Sequence, residues 1–196
     1  DRRRSICDSG ILHPARQVCS YGCARQYSPM SSSPTSSAPT EPSPTRVSPA
    51  THEAGGCDLV VSFDFDAEQV WLGNHPENAD RPGTLSQGTY GARRAVPLLL
   101  DLLRRLDVRA TFFVPGRVAE DYPERVHEIL AAGHEVGHHG YTHRSPLRLS
   151  LAEERDEIQR GLDVLRSLGA DVVGYRSPAW DFSPHTLDLL VDQGFL

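Results

Sequence analysis

After residue 56 short apolar runs of the strand kind alternate with stretches at the 3.6-residue spacing of a helix, and this succession limits the fold more than any other feature. Residues 59–65 are apolar, β-branched and aromatic, and read as a first strand. Residues 95–106 carry Val96, Leu99, Leu100, Leu103 and Leu106 at helical spacing. Residues 110–114 read as a second strand, 125–132 as a helix stopped by Gly133, and 135–138 as a short third strand. Ser150-Leu151-Ala152-Glu153 is a capping box opening a long helix that ends at Gly169. Residues 171–175 read as a fourth strand, and Ser183-Pro184 opens a last helix that stops at Gly194. Four successive βα units predict an α/β fold with a parallel sheet, because parallel neighbours need crossover connections. A closed (β/α) barrel takes about 250 residues, whereas this chain stops at Phe195-Leu196, where a further strand is due. The expectation is a partial (β/α) barrel, truncated at its C-terminus.

The first 55 residues are different. In the stretch 31–50, Ser, Pro and Thr fill 15 of 20 positions, too little apolar area to offset the entropy of ordering. The predicted organisation is a disordered Ser/Pro/Thr-rich tail over 1–55 and a folded unit over 56–196. Cys7, Cys19 and Cys23 fall in the tail and Cys57 at the mouth of the first strand, so no disulfide framework is expected inside the folded unit. The only Met is Met30, and translation starting there is one reading of a chain that begins with Asp. All 20 cationic residues are Arg; the folded unit holds 14 of them against 22 acids, a net of −8. That balance argues against a general nucleic-acid binder, which needs a basic face. No apolar run is long enough for a membrane span. No charged-then-apolar leader precedes the tail, and a cytoplasmic location is the expectation.

Three strand ends concentrate chemistry. The first reads Ser62-Phe63-Asp64-Phe65-Asp66; period-two alternation puts Asp64 and Asp66 on one face and the phenylalanines on the other. The C-terminal ends of parallel strands are where such folds carry active sites, and two close carboxylates call for a balancing cation. The second is His134-Glu135-Val136-Gly137-His138-His139-Gly140-Tyr141-Thr142-His143, which holds four of the nine histidines. Gly137 and Gly140 mark a strand running into a turn. His139 and His143 can converge there on one metal ion, while His134 and His138 read as structural or as supports for the ligands more than as ligands themselves. The third is Gly174-Tyr175-Arg176-Ser177-Pro178-Ala179-Trp180. A guanidinium at Arg176 can pair with a carboxylate from strand one. Trp180 reads equally as core or as a wall on which a ligand stacks. Trp71 and Tyr90 lie in the segment 67–90, read as a long loop of the functional kind. One Asp and two His would complete a three-ligand metal site with an open position for water.

These motifs resemble those of the NodB-homology polysaccharide deacetylases, the family 4 carbohydrate esterases. Ser62-Phe63-Asp64-Phe65-Asp66 corresponds to a Thr-Phe-Asp-Asp motif, His139-Gly140-Tyr141-Thr142-His143 to His-(Ser/Thr)-x-x-x-His, and Arg176-Ser177-Pro178 to an Arg-Pro loop. The resemblance covers about residues 57–196. Phe65 separates the two acids here, and Gly140 stands where the family has a loop-bracing hydroxyl. Asp64-x-Asp66-x-Glu68-x-x-Trp71 is closer to a divergent branch of peptidoglycan deacetylase-like proteins and relatives acting on cyclic imides or allantoin.

The resemblance implies that Asp66, His139 and His143 bind a divalent metal, expected to be zinc. It makes Asp64 the general base and Arg176 its orienting partner; Trp71, Tyr90 and Trp180, from their own positions in the sequence, are the candidate substrate contacts. The implied activity is metal-dependent hydrolysis of a non-peptide carbon–nitrogen bond, N-deacetylation of an N-acetylated sugar or peptidoglycan. Hydrolysis of a small cyclic amide is the alternative, and an inactive fragment that binds only metal or a partner is a third reading. The family's general acid is a histidine in a later motif, with no counterpart in this chain. An Asp-x-Asp strand end also resembles haloacid dehalogenase-type phosphatases and metal-dependent glycosyltransferases. The first class normally uses a Lys, which this chain lacks, and neither explains the histidine pair.

Overall fold

The structure, a computed structural model, describes residues 58–196. The expected tail, Met30 and all four cysteines lie outside the described residues.

Three short parallel strands form the sheet: β1 (Ser62–Asp64), β2 (Thr111–Val114) and β3 (Glu135–His138), in the order β1-β2-β3. Ser62 pairs with Thr111 and Asp64 with Phe113; Phe113 pairs in turn with Gly137 and Val114 with His138. The register brings the C-terminal ends of all three strands to one rim. Helices fill every crossover. Between β1 and β2 run α1 (Gln69–Leu72), α2 (Pro82–Tyr90) and α3 (Val96–Leu106); between β2 and β3 run α4 (Gly116–Asp121) and α5 (Pro123–Ala131). After β3 come α6 (Leu151–Ser167) and α7 (Thr186–Asp192). The capping box at Ser150 is present, with Glu153 N–H donating to Ser150 Oγ and Ser150 N–H to Glu153. Among the described residues no helix is long and apolar enough to cross a membrane.

Two expectations need correction. Residues 171–175 do not form a fourth strand: they meet β3 at a single parallel bridge, His138 to Tyr175. His138 N–H donates to Gly174 O and Arg176 N–H to His138 O, after which the chain turns away. Val173 O is taken by Leu196 N–H instead of a neighbouring strand. The segment 67–90 is not a loop either. It holds α1, a 3-10 turn (Pro76–Asp80) and α2, and a π turn (Gly91–Ala95) leads on into α3. Its prolines are helix starters at first-turn positions, where a missing N–H costs nothing.

The core gathers the sheet with helices α3 to α7, among them Val96 and Leu103 of α3 and Leu189 of α7. Phe112 and Val114 of β2 and Val136 of β3 are buried against Val118, Val126, Ile129, Ile158, Leu162 and Leu165. Each such side chain contributes roughly 1.5–3 kcal/mol on burial. Helices α4 and α6 touch backbone to backbone at two glycines. A Cβ on Gly116 would lie 2.8 Å from the Cα of Gly161, and one on Gly161 would lie 2.3 Å from His138 Nε2. His138 is fully buried beneath that contact. Its Nε2–H donates to Ile158 O at 3.0 Å and its Nδ1 accepts from Gly140 N–H at 3.1 Å. Burial pushes its pKa down to about 3, so the ring is neutral and structural.

Candidate metal centre and catalytic site

The strand ends deliver the site. Phe65 N–H still donates to Phe113 O, carrying the ladder one residue past β1, and the chain then turns into α1 with Asp66 at the turn. Phe63 lies on Phe112 with ring centres 5.2 Å apart, and Phe65 is buried near Tyr122. His139 follows β3 directly, and His143 closes the loop after it.

Asp66, His139 and His143 converge: one potential ligand atom from each lies within 4.8 Å of the others. His139 Nε2 is 3.5 Å from Asp66 Oδ1, and His143 Nε2 is 3.5 Å from Asp66 Oδ2. Ligand atoms about 2.0–2.2 Å from a shared tetrahedral ion stand about 3.3–3.6 Å apart, which the two Asp66–imidazole spacings match. His139 Nδ1–H donates to the carbonyl of Arg176 at 2.7 Å, leaving Nε2 with a free lone pair directed to Asp66. Asp66 Oδ1 is buried without a hydrogen-bond partner, a cost that a cation in the site would remove; His143 Nδ1, the ring nitrogen that does not face Asp66, is buried without one as well.

Electrostatics point the same way. Burial, opposed by His139 and reinforced by the charge of Asp64, pushes the Asp66 carboxyl up to about 6. Burial also lowers His139 and His143 below the ordinary histidine value. The imidazoles are therefore neutral near pH 7, the form that ligates, and a divalent charge would restore the Asp66 anion.

Arg176 joins this centre to Asp64. Its Nη1 donates to Asp64 Oδ1 at 2.5 Å and its Nη2 to Ser62 Oγ at 2.6 Å. The guanidinium lies over the Phe113 ring at 4.1 Å, which fixes its plane. Trp180 covers it at 5.2 Å but is 79% exposed, so it is not a core residue. Ala179 and Trp180 both have φ near +60°, an uncommon pair for side-chain-bearing residues. Trp71 and Tyr90 instead line a cavity of about 410 Å³ that also borders Asp64 and Asp66. Thus Trp71 and Tyr90 share one cavity with both acids, and Trp180 stands apart from it over Arg176. His134, just before β3 at the end of that strand away from His139, accepts at 3.4 Å from Ala110 N–H through Nδ1 and takes no part in the site.

Two residues at the site carry no motif. Glu157 of α6 accepts from the N–H groups of Tyr141 (2.9 Å) and Thr142 (2.7 Å) and from the Thr142 hydroxyl. Asn74, past α1, accepts from Ser145 N–H at 3.1 Å and donates to His143 O at 3.5 Å. Between them they hold a loop in which Gly140 has φ +74° and His143 φ +60°. The left-handed conformation costs a side-chain-bearing residue roughly 1–2 kcal/mol, so His143 needs such support, and Gly140 is the residue suited to its own position.

Comparison with known proteins gives a consistent picture. The family model described as polysaccharide deacetylase matches residues 85–196. The peptidoglycan deacetylase of Helicobacter pylori is 36% identical over 141 residues, covering 70% of this chain and 48% of that protein. The peptidoglycan-N-acetylglucosamine deacetylase of Bacillus cereus is 31% identical over 101 residues, covering 51% of this chain and 37% of that protein. A crystal structure of a Mycobacterium smegmatis protein assigned as a polysaccharide deacetylase superposes with a TM-score of 0.67 at 43% identity, over 69% of this chain and 48% of that one. The chain spans half the length or less of these relatives. The unclosed parallel sheet with its outer helices is accordingly a partial NodB-type barrel.

Proposed function

The chain belongs to the polysaccharide deacetylase family, and from that membership we propose that it carries the metal-binding and base-bearing half of a hydrolase that removes acetyl groups from an N-acetylated glycan, with peptidoglycan or a chitooligosaccharide as the substrate class. The observation that supports it most is the cluster of half-buried Asp66 with buried His139 and His143, beside a carboxylate held by Arg176.

Asp66, His139 and His143 are the residues to hold the metal, and zinc suits a set of two imidazoles and one carboxylate. A divalent ion there supplies Lewis acidity and water with a pKa near about 7. Asp64 takes the proton of the attacking water as the tetrahedral centre forms. Arg176 fixes the direction of Asp64 through one guanidinium nitrogen while Ser62 receives the other. The cavity bordered by Trp71 and Tyr90 offers aromatic faces for the sugar ring. No feature of the site favours the cyclic amide over the glycan.

The test is acetate release from N-acetylglucosamine oligomers and from peptidoglycan by the full-length protein. Release that stops with a chelator and returns with zinc supports the reading; no acetate from either substrate, with metal bound, contradicts it.

A further inference from the structure

We propose that Glu157 is a positioning residue that holds the 139–143 loop in its metal-ready shape before any ion arrives. The inference rests on the metal-centre reading above. One carboxylate takes three donors from two successive loop residues: the Tyr141 and Thr142 amides on Oε2 and the Thr142 hydroxyl on Oε1. Charge-assisted bonds of this kind are the strong ones. The loop's carbonyls are held from the other side. Gly140 O accepts from Gly116 N–H at 3.0 Å and Tyr141 O from Arg117 N–H at 2.9 Å, both from the first turn of α4, whose amides have no partner within the helix. The loop is thus clamped between α4 and α6, and the Gly116–Gly161 contact sets the distance between those helices.

Glu157 is not itself one of the three grouped ligands. Gly140 cannot brace the loop with a side chain, and its positive φ excludes most residues that could. The brace therefore comes from a different element, α6, and reaches the two residues between the histidines. Its effect on the metal is indirect: with the amides of Tyr141 and Thr142 fixed, His139 and His143 are held with ring centres 4.9 Å apart.

Two readouts test this on the metal-free full chain: amide hydrogen exchange at Tyr141 and Thr142, and Co2+ affinity by titration. Glu157→Ala is expected to speed exchange at both amides and to weaken Co2+ by about tenfold or more, the usual cost of losing a partner that orients metal ligands. Glu157→Gln, whose carbonyl can still accept both amides, is expected to recover most of the affinity. Glu154→Gln is the control. Glu154 is buried one turn earlier on α6 and binds the Ser183 and Thr186 hydroxyls, so it should lower thermal stability and leave Co2+ affinity within about twofold. A folded Glu157→Ala chain with unchanged exchange and unchanged affinity overturns the proposal. So does Glu154→Gln weakening Co2+ as much as Glu157→Ala, which would mean general destabilisation. If Glu157→Ala does not fold, Thr142→Val removes one of the three donors: weaker Co2+ binding supports the brace, and unchanged binding with unchanged exchange overturns it. Absence of Co2+ uptake by the unsubstituted chain refutes the metal-centre reading instead, and amide exchange alone then decides whether Glu157 holds the loop.

Discussion

The main-chain carbonyl of Arg176 accepts the Nδ1 proton of His139 at 2.7 Å, while the side chain of the same residue holds Asp64. One residue therefore orients a metal-ligand candidate through its backbone and the base candidate through its guanidinium. Its own N–H is fixed by His138 O, so the position is set by the end of β3 and does not depend on the arginine side chain.

That separation makes the two roles divisible. Arg176→Ala keeps the carbonyl and should leave zinc affinity within about threefold, while turnover falls by about 10² or more as Asp64 loses its partner. Arg176→Lys should recover little, because an ammonium cannot reach Asp64 and Ser62 as a planar fork. Zinc titration and steady-state kinetics on the same preparations check both.

Asp64 and His139 should fail in different ways. Asp64→Asn keeps shape but cannot take a proton, so metal stays bound and turnover is lost. His139→Ala removes a ligand, so metal is lost as well. Full activity in Asp64→Asn would remove the base assignment; metal analysis of each purified variant separates the cases.

Gly161 lies mid-helix, where Ala is ordinarily better by about 1 kcal/mol. Here a Cβ would meet His138 Nε2 at 2.3 Å and Gly140 O at 2.9 Å. Gly161→Ala should therefore destabilise the protein, by about 1–3 kcal/mol as for other overpacked core sites. Denaturant unfolding measures it, and a stabilised variant would show that α6 does not approach His138 and Gly140 this closely.

The metal-free protein should weaken on acidification from pH 7 to pH 5. Burial lowers the pKa of His138 to about 3 and lowers His139, His143 and His134 as well, so these rings take up protons more readily in the unfolded chain. Stability they contribute is complete above the ordinary histidine value and drains away below it. His138 alone approaches ~1.4 kcal/mol per pH unit. Asp66, raised to about 6, works in the opposite sense: it holds a proton in the folded state that the unfolded chain has released, and so offsets part of the loss. Urea unfolding at pH 7, 6 and 5 tests the sign; stability flat or rising toward pH 5 contradicts it.

Much of the candidate site was legible in the sequence because Asp64 and Asp66 close the apolar first strand, His139 follows β3 directly, and Arg176 follows the stretch 171–175 that reads as a strand. Glu157 was not. It follows Arg155 and Asp156 on a helix, and such a charge run reads as a solvated face until burial shows where the side chain points. Glu154, fully buried three residues earlier, was hidden in the same way. The fourth strand misread for the converse reason: residues 171–175 have the β-branched and aromatic composition of a strand, but pairing is a tertiary property, and only Tyr175 forms a bridge to the sheet. The segment 67–90 reads as a loop between the first strand and its helix, whereas Pro76 and Pro82 stand at first-turn positions and open helical turns there.

The central claim is that Asp66, His139 and His143 close around one cation. Zinc titration of the metal-stripped full-length protein tests it directly. The account predicts one ion per chain, with uptake abolished separately by Asp66→Ala, His139→Ala and His143→Ala in variants that remain folded. No uptake, or uptake indifferent to all three substitutions, would contradict it.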